Sequence, residues 1–270
     1  MASDSDLTGT LDRIRKNLEA RERNKQYQLP FFPDPQRGIP NEFSRSALFA
    51  AVPANKVQYV RRETIFSQKG FKITYTGKRL TQSDLDVFEG IVHLARGMQE
   101  NNQLRFKARQ LLKHIGRATG KSQYQWLMTV LQELTATSVG IERDGQNVYW
   151  GSLLPEGAAK LDNGAFVVTI NRQLIKLFDR GFTTIQWEQR LALGRKPLAQ
   201  HLHAWICSHD KPFPVTVDYL RQISGSDTKN LKHFRANLKA ALKAIQEETG
   251  AITAYHIDPE DKVHITKAAS

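Results

Sequence analysis

The stretch Thr228-Lys229-Asn230-Leu231-Lys232-His233-Phe234-Arg235-Ala236-Asn237-Leu238-Lys239-Ala240-Ala241-Leu242-Lys243-Ala244-Ile245 reads as part of a long helix with two chemically different faces. At ~100° per residue, Leu231, Phe234, Leu238, Ala241, Leu242 and Ile245 share a sector about a third of the circle wide. Lys229, Lys232, His233, Lys239 and Lys243 fall opposite, with Arg235 at the margin. A solvated surface helix usually interleaves acids with its bases at spacings of three and four. Here Glu247 and Glu248 appear only in the last turn. Such a helix packs by one face and offers cations on the other.

Upstream of it, Val217, Leu220 and Ile223 predict a short helix ending at Ser224-Gly225, and Leu198, Leu202, Trp205 and Ile206 line up on one further helical stripe. Residues 212–214, with two prolines, separate the two. Downstream, residues 251–257 and 262–265 alternate in hydropathy around Asp258-Pro259-Glu260-Asp261, which predicts a hairpin. The long helix is expected over about 228–249.

The same order is expected earlier in the chain. Phe71 to Tyr75 alternates as a strand and ends at Thr76-Gly77. Thr81 with Asp84 predicts the capped start of a helix carrying Leu85, Phe88, Val92 and Ala95. A short strand at 104–106 follows, then a helix with Leu111, Leu112 and Ile115. After the turn at 117–121, Ser122 is placed to cap a third helix whose Trp126, Leu127, Val130, Leu131 and Leu134 share a face. A hairpin over 139–142 and 148–153 turns at Asp144-Gly145. A strand at 166–170 and a helix at 173–178 connect the halves. Helix, short strand, helix, turn, longer helix and hairpin, occurring twice, is the order of the winged-helix form of helix-turn-helix, in which the third helix enters the major groove. The fold class expected is α+β: two tandem winged-helix domains, 41–180 and 181–270, preceded by a flexible arm, 1–40.

Within that arm, Leu7, Leu11, Ile14 and Leu18 form a narrow stripe on a basic amphipathic helix. Tyr27-Gln28-Leu29-Pro30-Phe31-Phe32-Pro33-Asp34-Pro35 then reads as an extended linker carrying an exposed apolar peptide, because its prolines lack backbone donors.

The helix of the first module that corresponds to 228–249 differs in chemistry. Opposite its apolar face lie Lys121, Gln125, Met128, Thr129 and Gln132. Glutamine amides can bond bidentately to adenine, so this face suits base readout, and it suits a protein–protein surface equally well. The expected DNA-contacting residues are Lys121, Gln125, Gln132, Lys229, Lys232, His233, Arg235, Lys239 and Lys243.

Composition agrees with a polyanionic partner. The 270 residues carry 39 Lys plus Arg against 27 Asp plus Glu, a formal charge of +12. One cysteine, Cys207, excludes an internal disulfide and suits a reducing cytosol. No apolar run reaches the ~18 residues of a membrane span, so a cytoplasmic location without membrane contact is expected. Two motifs come close to chemistry. Gly116-Arg117-Ala118-Thr119-Gly120-Lys121-Ser122 has three residues between its glycines where a phosphate loop needs four, and it follows a helix. His201 and His203 resemble the metal pair of rolling-circle nickases, but on a helix they diverge by about 200°. No metal, no cofactor and no enzymatic activity are expected.

Taken together, Arg45-Ser46-Ala47-Leu48-Phe49, Lys72-Ile73-Thr74-Tyr75-Thr76-Gly77, Trp187-Glu188, Ser208-His209 and Gly225-Ser226-Asp227 carry a resemblance to the TrfA-type plasmid replication initiators, over roughly 28–267. The resemblance implies binding to repeated sites (iterons) in double-stranded origin DNA, contact with single-stranded A+T-rich DNA, plasmid copy control, and recruitment of the host helicase and host initiator. It leaves monomer or homodimer open. Gln28-Leu29-Pro30-Phe31-Phe32 is similar to the pentapeptide by which such proteins grip the sliding clamp, with Phe31 where leucine is usual; this implies clamp contact through Gln28, Leu29, Phe31 and Phe32. The competing expectation for these aromatics is packing on the chain's own first domain. A winged-helix transcriptional repressor is the alternative function, and the clamp-like peptide is the feature that separates the two.

Overall fold

A computed structural model describes residues 27–53, 57–154, 159–160, 165–170 and 172–268. The basic helix expected over 7–18 lies outside them. Among the described residues the fold is mixed α and β, and no helix is long and apolar enough to cross a membrane.

Strands β1 (Gln36–Pro40) and β2 (Phe49–Ala50) flank a short helix α1 (Asn41–Ser44). A hairpin follows, β3 (Tyr59–Ile65) with β4 (Phe71–Lys78), then β5 (Leu80–Thr81) leading into α2 (Gln82–Leu94). Asp84 closes the start of α2, accepting from the Thr81 backbone N–H at 2.6 Å and from its hydroxyl at 2.9 Å. Next come β6 (Gln103–Lys107), α3 (Ala108–His114) and α4 (Lys121–Ala136). Strands β7 (Ser138–Arg143) and β8 (Gln146–Gly151) form the expected hairpin and complete a four-stranded antiparallel sheet in the order β3-β4-β7-β8. The edge strand β3 was not expected. Its Arg61-Arg62-Glu63 run hides the alternation, and a bulge there puts Arg62 at φ 51° with its N–H on Thr76 Oγ1.

After β9 (Ala159–Lys160), β10 (Ala165–Thr169) and α5 (Arg172–Asp179), strand β11 (Phe182–Gln186) runs antiparallel to β1. The second half is α6 (Trp187–Ala192), α7 (Pro197–Cys207), β12 (Val215–Thr216), α8 (Val217–Ile223), α9 (Leu231–Ala244) with a π-helical turn (Ile245–Thr249), and the hairpin β13 (Ile252–Ile257) with β14 (Lys262–Lys267). Helix, short strand, helix, helix, hairpin therefore occurs twice, as α2-β6-α3-α4-β7-β8 and as α7-β12-α8-α9-β13-β14. Two helix starts differ from expectation. Gly120, not Ser122, occupies the N-cap of α4, and α9 begins at Leu231 rather than 228, because Asn230 Oδ1 accepts from the N–H groups of Lys232 (2.9 Å) and His233 (3.3 Å).

Each half has its own buried apolar cluster. The larger runs from Tyr27 to Trp187 and takes in Ala204 of α7, and the smaller runs from Leu193 to Val263. On α9 the apolar sector is buried as its period requires: Phe234, Leu238 and Leu242 are all 0% exposed, each worth roughly 2 kcal/mol of burial.

Residues 27–40 depart from the flexible arm. Leu29 N–H bonds Met98 O at 3.0 Å and Gly97 N–H bonds Leu29 O at 3.1 Å, so the segment pairs with the chain beyond α2. Leu29 and Phe32 are each 1% exposed. The Phe32 ring meets Phe182 edge-on at 5.3 Å and lies where a side chain on Gly38 would have to be, 2.2 Å from an added Cβ. Gly38 thus leaves the space that Phe32 fills. The expected exposed peptide is corrected to a docked one, whose Phe31 is the large apolar side chain that stays outside, 72% exposed beneath the Arg96 guanidinium. The Gln28 side-chain amide donates to Gly97 O.

Candidate nucleic-acid interface

Helix α9 presents Lys229 (in the turn before it), Lys232, His233, Lys239 and Lys243 to solvent, as its angular pattern predicts. Among the described residues, Lys229, Lys232, His233 and Lys239 have no acidic partner, whereas Lys243 lies 3.7 Å from Glu247 one turn on. Arg235 is not part of the open row. It is half-buried, and its Nε and Nη2 both donate to Oδ1 of Asp261, at 3.0 and 2.7 Å. Asp261 sits at φ 62° in the β13–β14 turn, so the pair clamps the helix to the hairpin. Tyr255 adds a second tie, its hydroxyl donating to Lys239 O at 3.3 Å. The hairpin contributes two imidazoles of its own: His256 and His264 stack at 4.4 Å, and His264 Nε2 lies 2.8 Å from Asp258 Oδ2.

Helix α4 exposes Lys121, Gln125, Thr129 and Gln132, while Met128 is half-buried against the core. The amides of Gln125 and Gln132 have no side-chain hydrogen-bond partner among the described residues, which leaves them open to a ligand. The larger positive surface of this half lies on β6 and α3. From Asn101 to Gln132 the sequence holds no Asp or Glu, and Arg105, Lys107, Arg109 and Lys113 all stand exposed without an ion pair among the described residues. Lys107, Arg109, Gln110, Lys113 and His114 line a shallow concavity of about 440 Å³. Sequence reasoning missed these four cations because it tested only the third helix of each module; the long acid-free run was the available signal. Arg117, in the same run, is engaged: it stacks on Trp126 at 3.5 Å and donates to Gln123 Oε1 and Ser83 Oγ.

The two halves are joined at fixed points. The Arg79 Nη2 donates to Gly225 O at 3.3 Å and its Nη1 lies 3.4 Å from Asp227, in the turn before α9. Gly225 has φ 62°, and an added Cβ would stand 3.0 Å from Ala50 Cβ and 2.8 Å from that guanidinium, so only glycine fits. Deeper in, Arg190 of α6 is 0% exposed and donates through Nε to Asp86 Oδ1 at 2.6 Å. Burial opposes its charge, and Asp86 and Glu89 together outweigh that, holding it above its ordinary value. Burial pushes the Glu89 carboxyl up to about 8.

His201 and His203 lie on α7 with different partners, Gln82 Nε2 at 3.4 Å and Gln189 Oε1 at 3.0 Å, and desolvation lowers both imidazoles to about 4. Among the described residues, no group of three or more His, Cys, Asp or Glu side chains is arranged to hold a metal. Burial raises the Cys207 thiol to about 11, so it stays protonated and unreactive.

Comparison with known proteins adds to this geometry. Domains 2 and 3 of RctB, in a crystal structure, share the fold at a TM-score of 0.53 and 12% identity, covering 86% of this chain and 99% of that one. The plasmid replication initiator protein TrfA of Escherichia coli is 27% identical over 238 residues, which is 82% of this chain and 61% of that protein, so the chain spans about three fifths of its relative's length. The family model described as TrfA protein matches residues 4–267. With nearly every residue inside that match, the chain belongs to the TrfA family.

Proposed function

We propose that this chain initiates plasmid DNA replication by binding repeated duplex sites at an origin through two winged-helix modules, without bond chemistry of its own. The observation that carries the reading is the row Lys229, Lys232, His233 and Lys239, exposed and without acidic partners on the helix that follows a short helix and a turn. Cations placed this way neutralise phosphates and position a protein on the duplex. Lys107, Arg109 and Lys113 supply the same chemistry in the first module, with the open amides of Gln125 and Gln132 for base edges.

Opening of an adjacent A+T-rich region and delivery of the host helicase belong to the same proposal, and similarity to a plasmid replication initiator supports them. Clamp recruitment through Gln28 to Phe32 requires the segment to leave its dock, because Leu29 and Phe32 are covered. The distinction from a repressor therefore rests on the initiator relative rather than on an exposed clamp peptide.

The test is complementation. A plasmid bearing the DNA that flanks the gene, and lacking any other origin, should be maintained only when the chain is supplied in trans. Supply of the Lys232→Ala, Lys239→Ala double variant should abolish maintenance. A plasmid that never replicates with the wild-type chain, while transcription from a nearby promoter falls, would favour the repressor.

A further inference from the structure

We infer that Arg190 is the positioning residue that sets the distance and rotational phase between the two DNA-facing helices, α4 and α9. The inference deepens the proposed DNA-binding reading and rests on it for its consequence at DNA.

The argument begins with where the guanidinium sits. Arg190 Nε bonds Asp86 Oδ1 at 2.6 Å, Nη2 bonds both the backbone carbonyl of Gln82 (3.1 Å) and its side-chain Oε1 (3.2 Å), and Nη1 reaches Gln200 O at 3.5 Å. Glu89 stands a further turn along, 3.9 Å from Nε. Gln82, Asp86 and Glu89 follow the helical spacing of four and three, so one face of α2 meets the guanidinium. Helix α2 packs directly on α4, and α7, which carries Gln200, packs on α9. One side chain thus touches the support of each DNA-facing helix.

Its own helix is fastened on the far side. Gln189 Nε2 donates to Thr249 O, at the end of the π-turn that extends α9, and its Oε1 lies 3.0 Å from His203 Nε2. Gln82 in turn donates to Phe49 O at 2.5 Å. Arg190, Gln82, Glu89 and Gln200 are buried and Asp86 is only 14% exposed, in contrast to the rim contact of Arg79 with Asp227, whose carboxylate is half exposed.

A buried ion pair contributes little net stability over a well-packed apolar pair. What a planar guanidinium does supply is direction: its donors lie in one plane at fixed angles, so acceptors on two modules must hold their places to satisfy them. An apolar side chain would fill the space without specifying the angle. A lysine would keep the charge and could not reach the three acceptor residues at once. Duplex DNA repeats every 10–10.5 base pairs, so each inserted base pair turns a half-site by about 35°. Rigidly phased modules accept one spacing, and loosely phased modules accept several.

The test has two arms on the full chain. In the first, nitroxide labels at Gln125→Cys and Lys239→Cys in a Cys207→Ala background report the α4–α9 distance without DNA. The wild-type sequence at 190 should give one narrow distribution, and Arg190→Lys should broaden it at least about twofold while the far-ultraviolet circular dichroism is retained; Gln82→Ala serves as the second variant should Arg190→Lys unfold. In the second arm, unlabelled chain binds a duplex selected by the wild type from random sequence, with zero, one or two base pairs inserted between the protected halves. Two inserted pairs should weaken wild-type binding about 30-fold and Arg190→Lys binding less than about 3-fold. An unchanged distance distribution, or an unchanged spacing penalty, overturns the inference. Broadening in the first arm with no duplex selected in the second supports the phasing role and overturns the DNA reading instead.

Discussion

Arg235 and Asp261 form a two-donor pair, Nε and Nη2 onto one carboxylate oxygen, that joins the cation-bearing helix α9 to the turn of the β13–β14 hairpin. The pair divides α9's positive charges into two roles. Lys232 and Lys239 are free for phosphate, and Arg235 holds the helix against the hairpin. Lys232→Ala and Lys239→Ala should each lower the slope of log affinity against log salt by about 0.9. Arg235→Ala should leave that slope unchanged and cost about 1 kcal/mol of stability, since the pair is only partly exposed and solvent still screens it. Salt titrations of the three variants, with thermal melts alongside, separate the roles.

The cations of β6 and α3 extend the expected footprint. Arg109→Ala and Lys113→Ala are each expected to reduce the salt slope by about the same 0.9, and to weaken binding alike on specific and random duplexes. Gln125→Ala should behave in the opposite way, with an unchanged slope and a loss of roughly 1–3 kcal/mol of discrimination at a single base position. Competition binding against a panel of single-base variants reads the difference.

Docking of Leu29 and Phe32 predicts a stability cost where an exposed peptide would show none. Leu29→Ala should destabilise the folded chain by about 2–5 kcal/mol, and Phe31→Ala, at an exposed ring, by less than about 1. Urea unfolding monitored by tryptophan fluorescence measures both. Equal, negligible effects would mean the segment is undocked in solution.

Two sets of buried groups give the pH dependence opposite slopes. His201 and His203 titrate at about 4 folded and near 6.5 unfolded, so their contribution is complete above 6.5 and is lost as pH falls toward 4. Glu89, at about 8 folded and near 4.5 unfolded, contributes fully below 4.5, and that contribution is lost as pH rises toward 8. Stability should therefore peak near pH 6.5 and decline on both sides. Glu89→Gln should flatten the fall between 6.5 and 8 and steepen the acid side, because the Glu89 carboxyl opposes the two histidines between 4.5 and 6.5. Melting temperatures measured from pH 4.5 to 8.5 decide it.

The parts of this fold that were legible in the sequence are those whose partner is close in the chain. Helix Val217–Ile223 and the β7–β8 hairpin each bury a face against neighbouring elements, and their periods say so directly. The Thr81–Asp84 cap is likewise local. Pairings that span the chain left no such trace. Strand β1 finds β11 nearly 150 residues away, and Phe32 finds its place through Gly38, Phe178 and Phe182. Prolines made the segment extended, and extended backbone serves a docked strand as well as a free peptide. Among the candidate contact residues, the face of α9 could be read by angle alone. The capture of Arg235 by Asp261 could not, because it depends on how the hairpin folds back.

Hydroxyl-radical footprinting of the wild-type chain on its selected duplex tests most directly whether both modules grip DNA. Two protected patches are predicted, one erased by Lys232→Ala with Lys239→Ala and the other by Arg109→Ala with Lys113→Ala. A single patch, or patches that survive both pairs of substitutions, would contradict the account.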